Sequence, residues 1–197
     1  MSKKEEFEQL LRSTCREGVE NVLARIESLG FFIAPASTRF HLNYAGGLVE
    51  HSLNVCYAAM DVREVMVKRN PQLAAALPVE SVIIASLLHD VCKSDIYRPT
   101  TKRQKSDSGN WADVPGYDVD YSNFPLGHGE KSVIMLLQSG LRMTNDEIMA
   151  IRWHMNAWEL SLQSADAKGN YAKAKDICPL LTLISAADGL ASGLLED

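Results

Sequence analysis

The stretch Ser81-Val-Ile-Ile-Ala-Ser-Leu-Leu-His-Asp90 decides how this chain is read. It runs mostly apolar to Leu88 and then ends in an imidazole and a carboxylate. Charged groups at the end of a buried run are costly unless something partners them, and a bound cation satisfies several at once. Pro78 opens this helix, which is expected to end near Cys92.

Helical patterns dominate on either side. Phe7, Leu10, Leu11, Val19, Val22, Leu23 and Ile26 recur at helical spacing before a stop at Gly30, which predicts one N-terminal helix within residues 1–30. After a turn-rich stretch from Phe31 to Gly46, a helix is expected from Gly47 to Arg69. Leu48, His51, Val55, Ala58, Ala59 and Val62 share one of its faces, so His51 points inward. Further helices are expected from near His128, from near Asn145 behind the capping box Thr144-x-x-Glu147, and over Asp176 to Leu194. Between them, Pro99, Gly109, Pro115, Gly116 and Pro125 break the pattern. With the turn Asp107-Ser-Gly-Asn110 and the β-prone Tyr117-Asp-Val-Asp-Tyr121, they predict a long loop or small β-hairpin around residues 94–126. Together this is one all-α domain over residues 1–197, with an insertion.

Composition excludes more than it identifies. A net charge of −5 gives no global argument for nucleic acid, and Trp111, Trp153 and Trp158 are not spaced as a stacking platform. The N-terminus lacks an apolar signal core, and the longest apolar stretches are too short to span a bilayer, so no membrane association is expected. Cys15, Cys56, Cys92 and Cys178 are scattered, without a CxxC pair, and no Asn-X-Ser/Thr sequon occurs. Reduced thiols and a cytoplasmic location are the expectation. P-loop, GxSxG, HExxH and EF-hand patterns are all missing.

All five histidines fall into one series with two aspartates: His41, His51, His89-Asp90, His128, His154 and Asp188. Each of His51, His89, Asp90 and Asp188 alone can be read as a hydrogen-bonded core residue or a helix cap. Four of them on apolar helical segments fit a divalent transition metal better, since such ions take neutral imidazole nitrogens and carboxylate oxygens.

The order His51, His89-Asp90, Asp188 resembles the HD superfamily of metal-dependent phosphohydrolases. Gly46-Gly47-Leu48-Val49-Glu50-His51-Ser52-Leu53 is similar to its first-histidine helix, and Leu87-Leu88-His89-Asp90-Val91-Cys92-Lys93 to its LLHDxxK stretch. Gly127-His128-Gly129-Glu130 and Trp153-His154 are similar to the downstream histidines of its longer-motif, phosphodiesterase-like members. The resemblance covers residues 40–190. It implies a compact helical bundle, with His51, His89, Asp90 and Asp188 on a first metal. It also implies that Asp90 bridges in two-metal members, while His128 and His154 hold a second ion or contact phosphate. One or two ions of manganese, iron, nickel, cobalt or zinc would serve. The loop around His41 and Tyr44 resembles that of bacterial 3′→5′ exoribonucleases, where a substrate contact is expected; a plain structural role is the alternative.

Lys93, Arg98, Lys102, Arg103 and Lys105 follow the metal pair against a single acid, Asp95. They either attract an anionic phosphate or are solvated strand residues paired with Asp107, Asp113, Asp118 and Asp120. Lys93, one helical turn from His89, is the strongest candidate for handling phosphate, and Arg152 beside His154 is a further one. The expected function is hydrolysis of a nucleotide or other phosphate mono- or diester by a metal-activated water, with Asp90, Lys93, His128 and His154 as catalytic residues. A di-iron oxygenase resembling inositol or phosphonate oxygenases, or a non-catalytic nucleotide-binding module, are the alternatives.

Overall fold

The apolar faces close around one core in the computed structural model, which describes residues 1–106, 109–155 and 164–196. Residues 3–29 do not form one helix. Helix α1 (Lys3–Ser13) and helix α2 (Val19–Ser28) are separated by a turn in which Cys15 takes φ 50°. A straight helix of that length would reach about 40 Å, and the turn instead lets Phe7 and Leu11 bury in the same core as Val22 and Ile26. A short 3₁₀ turn, Phe31–Ile33, adds Phe31 against Phe7 with ring centroids 5.1 Å apart.

Helix α3 (Gly47–Arg69) has the expected bounds. After the short α4 (Leu73–Ala76), helix α5 (Val79–Leu88) buries every residue from Ser81 to Leu88, because α3 and two later helices, Asn145–Trp153 and Pro179–Leu190, all pack on it. That central position explains why its sequence lacks a polar face. A turn over residues 89–92 leads into α6 (Lys93–Ile96) and then into the insertion, strands β1 (Tyr97–Lys105) and β2 (Trp111–Val119), paired antiparallel from Tyr97↔Val119 to Lys105↔Trp111. Asp107 and Ser108 of the predicted turn, and Trp158, lie outside the described residues.

Helices α7 (His128–Gln138) and α8 (Asn145–Trp153) follow, then α9 (Ala165–Ile177), α10 (Pro179–Leu190) and a π-helical turn, Ala191–Leu195. The single last helix expected over Asp176 to Leu194 is instead broken at Cys178. Pro179 lacks an N–H to continue a helix but suits the first position of a new one. No single helix among the described residues is long and apolar enough to cross a membrane.

The Thr144/Glu147 capping box is present, and Glu147 does more than cap. Its buried carboxylate accepts both Arg16 guanidinium N–H groups at 2.9 Å and the Ser81 hydroxyl at 2.7 Å, tying the α1–α2 turn and α5 to α8. Glu147→Ala would strand Arg16, which is largely buried, and is expected to cost about 3–5 kcal/mol. That is roughly a 10 °C fall in Tm by calorimetry. A shift of a degree or two would show the network to be dispensable.

Candidate metal centre

Five helices aim side chains at one point. His51 comes from the first third of α3, Asp188 from α10, and His128 is the first residue of α7. His89 and His154 are presented by the same device: each is the first residue past a helix, α5 or α8. A helix end leaves its last carbonyls without intrahelical partners. His89 Nδ1–H donates to Ser86 O and His154 Nδ1–H to Ile151 O, both at 2.7 Å. A carbonyl can only accept, so each Nδ1 carries the proton and each Nε2 turns a bare lone pair inward.

The inward atoms converge. His51 Nε2 lies 3.2 Å from His89 Nε2, 3.3 Å from Asp188 Oδ1 and 3.6 Å from Asp90 Oδ2. His89 Nε2 is 3.4 Å from Asp90 Oδ2, and His154 Nε2 is 3.4 Å from Asp90 Oδ1. His128 Nε2–H donates to Asp90 Oδ1. His154 Nε2 is buried and has no hydrogen-bond partner among the described residues. Lone pairs gathered in an apolar interior call for a cation, and this donor set of imidazole nitrogen and carboxylate oxygen suits a divalent transition metal. Among the described residues four overlapping groups, each with its donors within 4.8 Å of one another, could hold one: His51 with His89 and Asp90, His89 with His154 and Asp188, Asp90 with His128 and His154, and His41 with His51 and Glu196.

Two glycines make the approach possible. A Cβ on Gly129 would stand 2.3 Å from Arg152 O, so only glycine lets the start of α7 bring His128 against the end of α8. The two imidazole rings, His128 and His154, are consequently 5.4 Å apart. A Cβ on Gly47 would meet Leu42 O at 2.1 Å, and its absence lets the loop carrying His41 lie over the start of α3.

The family model for the HD domain matches residues 48–193, which takes in His51, His89, Asp90, His128, His154 and Asp188. The chain belongs to the HD domain family. That family is in general one of metal-dependent phosphohydrolases, and the histidine–aspartate cluster fits an HD metal site. No curated protein and no solved structure matches the chain.

Electrostatics in the HD cluster are set by burial and pairing. Burial opposes ionisation of Asp90, yet Lys93, His89 and His128 hold its carboxyl well below the usual range. Burial likewise opposes charge on Lys93, and Asp90, 2.5 Å from its ammonium, outweighs it and raises the pKa. Burial lowers His89. Burial also acts against His128, but Cys92 and Asp90 raise its pKa well above the ordinary imidazole value. For His51, burial is overcome by hydrogen bonds to Asp188 and Glu196, which push the pKa up to about 9.

Because the folded pKa of His51 lies above the ordinary 6.5, this interaction stabilises the metal-free protein fully below about pH 6.5 and is lost as pH rises through about 9. Chelated protein is therefore expected to melt lower at pH 9 than at pH 6.5. A divalent metal needs the neutral imidazole, so the rise in Tm on adding metal should be larger at pH 9. Equal metal-induced shifts at the two pH values would contradict this assignment.

Not every expected residue reaches the HD site. His51, Asp90, Lys93, His154 and Asp188 line a cavity of about 470 Å³, together with His41, Phe40 and Ser185. Tyr44, Arg98 and Arg152 do not line it. The Tyr44 hydroxyl instead donates to Glu50 at 2.5 Å, and Arg152 pairs with Glu130 at 2.6 Å while lying over the Trp153 ring. Arg98 is on β1, 3.7 Å from Asp120. Lys102 and Arg103 likewise pair with Asp118 and Asp113, so these strand cations have acidic partners within the insertion.

Two contacts carried no sequence signal. Glu196 folds back onto His51, with its carboxylate oxygens 3.0 and 3.1 Å from Nδ1. Cys92 Sγ stands 3.3 Å from His128 Nδ1, on the side of the ring away from Asp90.

Proposed function

We propose that this HD protein hydrolyses a small phosphate ester, a nucleotide, by attack of water on phosphorus at the histidine–aspartate cluster. The observation that carries the reading is the cavity of about 470 Å³, a size that suits a small organic ligand, which joins His51, Asp90, His154 and Asp188 to Lys93 in one chamber. His51, His89, Asp90 and Asp188 would hold a divalent cation, and the sharing of Asp90 between two donor groups supports a second ion at His128 and His154. Such a cation supplies Lewis acidity, acidifying water and drawing electron density from a phosphoryl oxygen.

The chain's own groups supply the rest. Lys93, held protonated beside Asp90, neutralises charge that grows on the non-bridging oxygens as the new O–P bond forms. With a single ion bound, His128, held protonated by Cys92 and Asp90, would pass a proton by way of His154, which opens on the cavity, to the departing ester oxygen; with a second ion the two histidines are ligands and not acids. Beyond the cluster, Ser185 Oγ and His41 Nε2 are buried without hydrogen-bond partners among the described residues. They line the same cavity and offer polar contacts to the organic part of a nucleotide.

The test is a turnover screen of protein loaded with manganese, cobalt, nickel or ferrous iron. Nucleoside monophosphates, nucleoside triphosphates, cyclic nucleotides and short oligonucleotides are the substrates. Phosphate release or phosphodiester opening with at least one nucleotide is expected. Metal-replete protein that turns over none of the panel would sink the proposal.

A further inference from the structure

Glu196 lies beyond the end of the HD match at residue 193, yet its side chain is fully buried against the centre of the site. The π-helical turn Ala191–Leu195 carries the chain off α10 and back over α3. There both carboxylate oxygens face His51 Nδ1 at 3.0 and 3.1 Å. Asn54, one helical turn along α3 from His51, donates its amide to Glu196 Oε1 at 3.0 Å and fixes the carboxylate in place. His41 Nε2 is 3.8 Å from the other oxygen, and its ring lies 5.1 Å from that of His51.

We infer that Glu196 is a positioning residue that orients His51 as a metal ligand. His89 and His154 have their Nδ1–H groups fixed by helix carbonyls, whereas His51 sits within α3, where the carbonyls of the preceding turn are engaged in the helix. It therefore needs an acceptor from elsewhere, and Glu196 provides a charged one. In the neutral imidazole that a metal requires, Glu196 holds the proton on Nδ1 and leaves Nε2 bare toward Asp90 and Asp188, and the adjacent carboxylate makes the imidazole a stronger donor. The C-terminal turn thus completes a ligand whose own helix cannot lock it. This inference concerns the metal site alone and stands whichever ester the protein cleaves.

Cobalt(II) binding to the full chain, followed by visible absorption and by competition with a chelator, tests it. Glu196→Ala is expected to raise the Kd for cobalt about 10–100-fold and to alter the absorption bands. Glu196→Gln keeps an acceptor oxygen for Nδ1–H at the same reach, and is expected to recover part of the affinity. Asn54→Ala, which leaves the carboxylate but removes its anchor, should weaken binding several-fold and serves as the deciding variant if Glu196→Ala does not fold. Wild-type cobalt affinity and spectrum in Glu196→Ala and Asn54→Ala would overturn the inference. So would a Glu196→Gln protein that is folded by its Tm yet binds no better than Glu196→Ala.

Discussion

Asp90→Ala is expected to leave the purified protein almost free of metal and to abolish the proposed hydrolysis. Asp90 is the residue on which the cluster turns: its two oxygens face His51, His89, His128, His154 and Lys93 at once. Removing a partner that only orients a metal ligand already costs about 10–100-fold in metal affinity. A shared ligand should therefore cost more than about 100-fold. The same change strands the Lys93 ammonium, which keeps only 12% of its side-chain surface exposed, so a loss of about 3–5 kcal/mol in stability accompanies it. Asp90→Asn separates the two effects, since it keeps the shape and an acceptor but loses the charge. Both variants should fail to retain metal by elemental analysis, with Asp90→Asn nearer to wild type in Tm. Metal content equal to wild type in either would remove Asp90 from the ligand set.

Lys93→Met should have the opposite signature. Lys93 touches Asp90 but offers no lone pair to a cation, and methionine preserves much of its apolar stem at the cavity wall. Metal content is expected to stay at wild-type level or rise slightly, because a competitor for Asp90 is gone. Turnover is expected to fall about 100–1000-fold, the usual loss when one group that stabilises charge in the transition state is removed. The loss should lie mainly in kcat. Parallel loss of metal and activity would instead make Lys93 a structural partner of Asp90 with no role toward phosphate.

Much of this was legible from residue order because burial and periodicity are local properties. The apolar run into His89-Asp90 marked a helix ending in groups that need partners, and α5 is buried from Ser81 to Leu88. The inward face of α3 placed His51, and Thr144-x-x-Glu147 placed the start of α8. Where the chain bends was less legible. Helical spacing continued through Thr14 to Gly18 although Cys15 leaves the helical region, and the apolar run after Asp176 masked the stop imposed by Pro179.

The site divides in the same way. Ligands on apolar segments stood out, whereas residues defined by long-range return did not. Glu196 is an ordinary acid at a helix end until the π turn brings it to His51. The basic stretch misled in the other direction. Strand pairing sets Arg98, Lys102 and Arg103 near Asp120, Asp118 and Asp113, and only Lys93, which precedes the strand in α6, reaches the cavity.

Anomalous diffraction from crystals of metal-loaded protein, recorded at the absorption edge of the added ion, tests the central claim most directly. Strong peaks are expected within about 2.0–2.2 Å of the Nε2 atoms of His51 and His89 and of carboxylate oxygens of Asp90 and Asp188. A second peak beside His128 and His154 would mark a two-ion site. Crystals in which the ion binds elsewhere, while these imidazoles and carboxylates only hydrogen-bond to one another, would contradict the account.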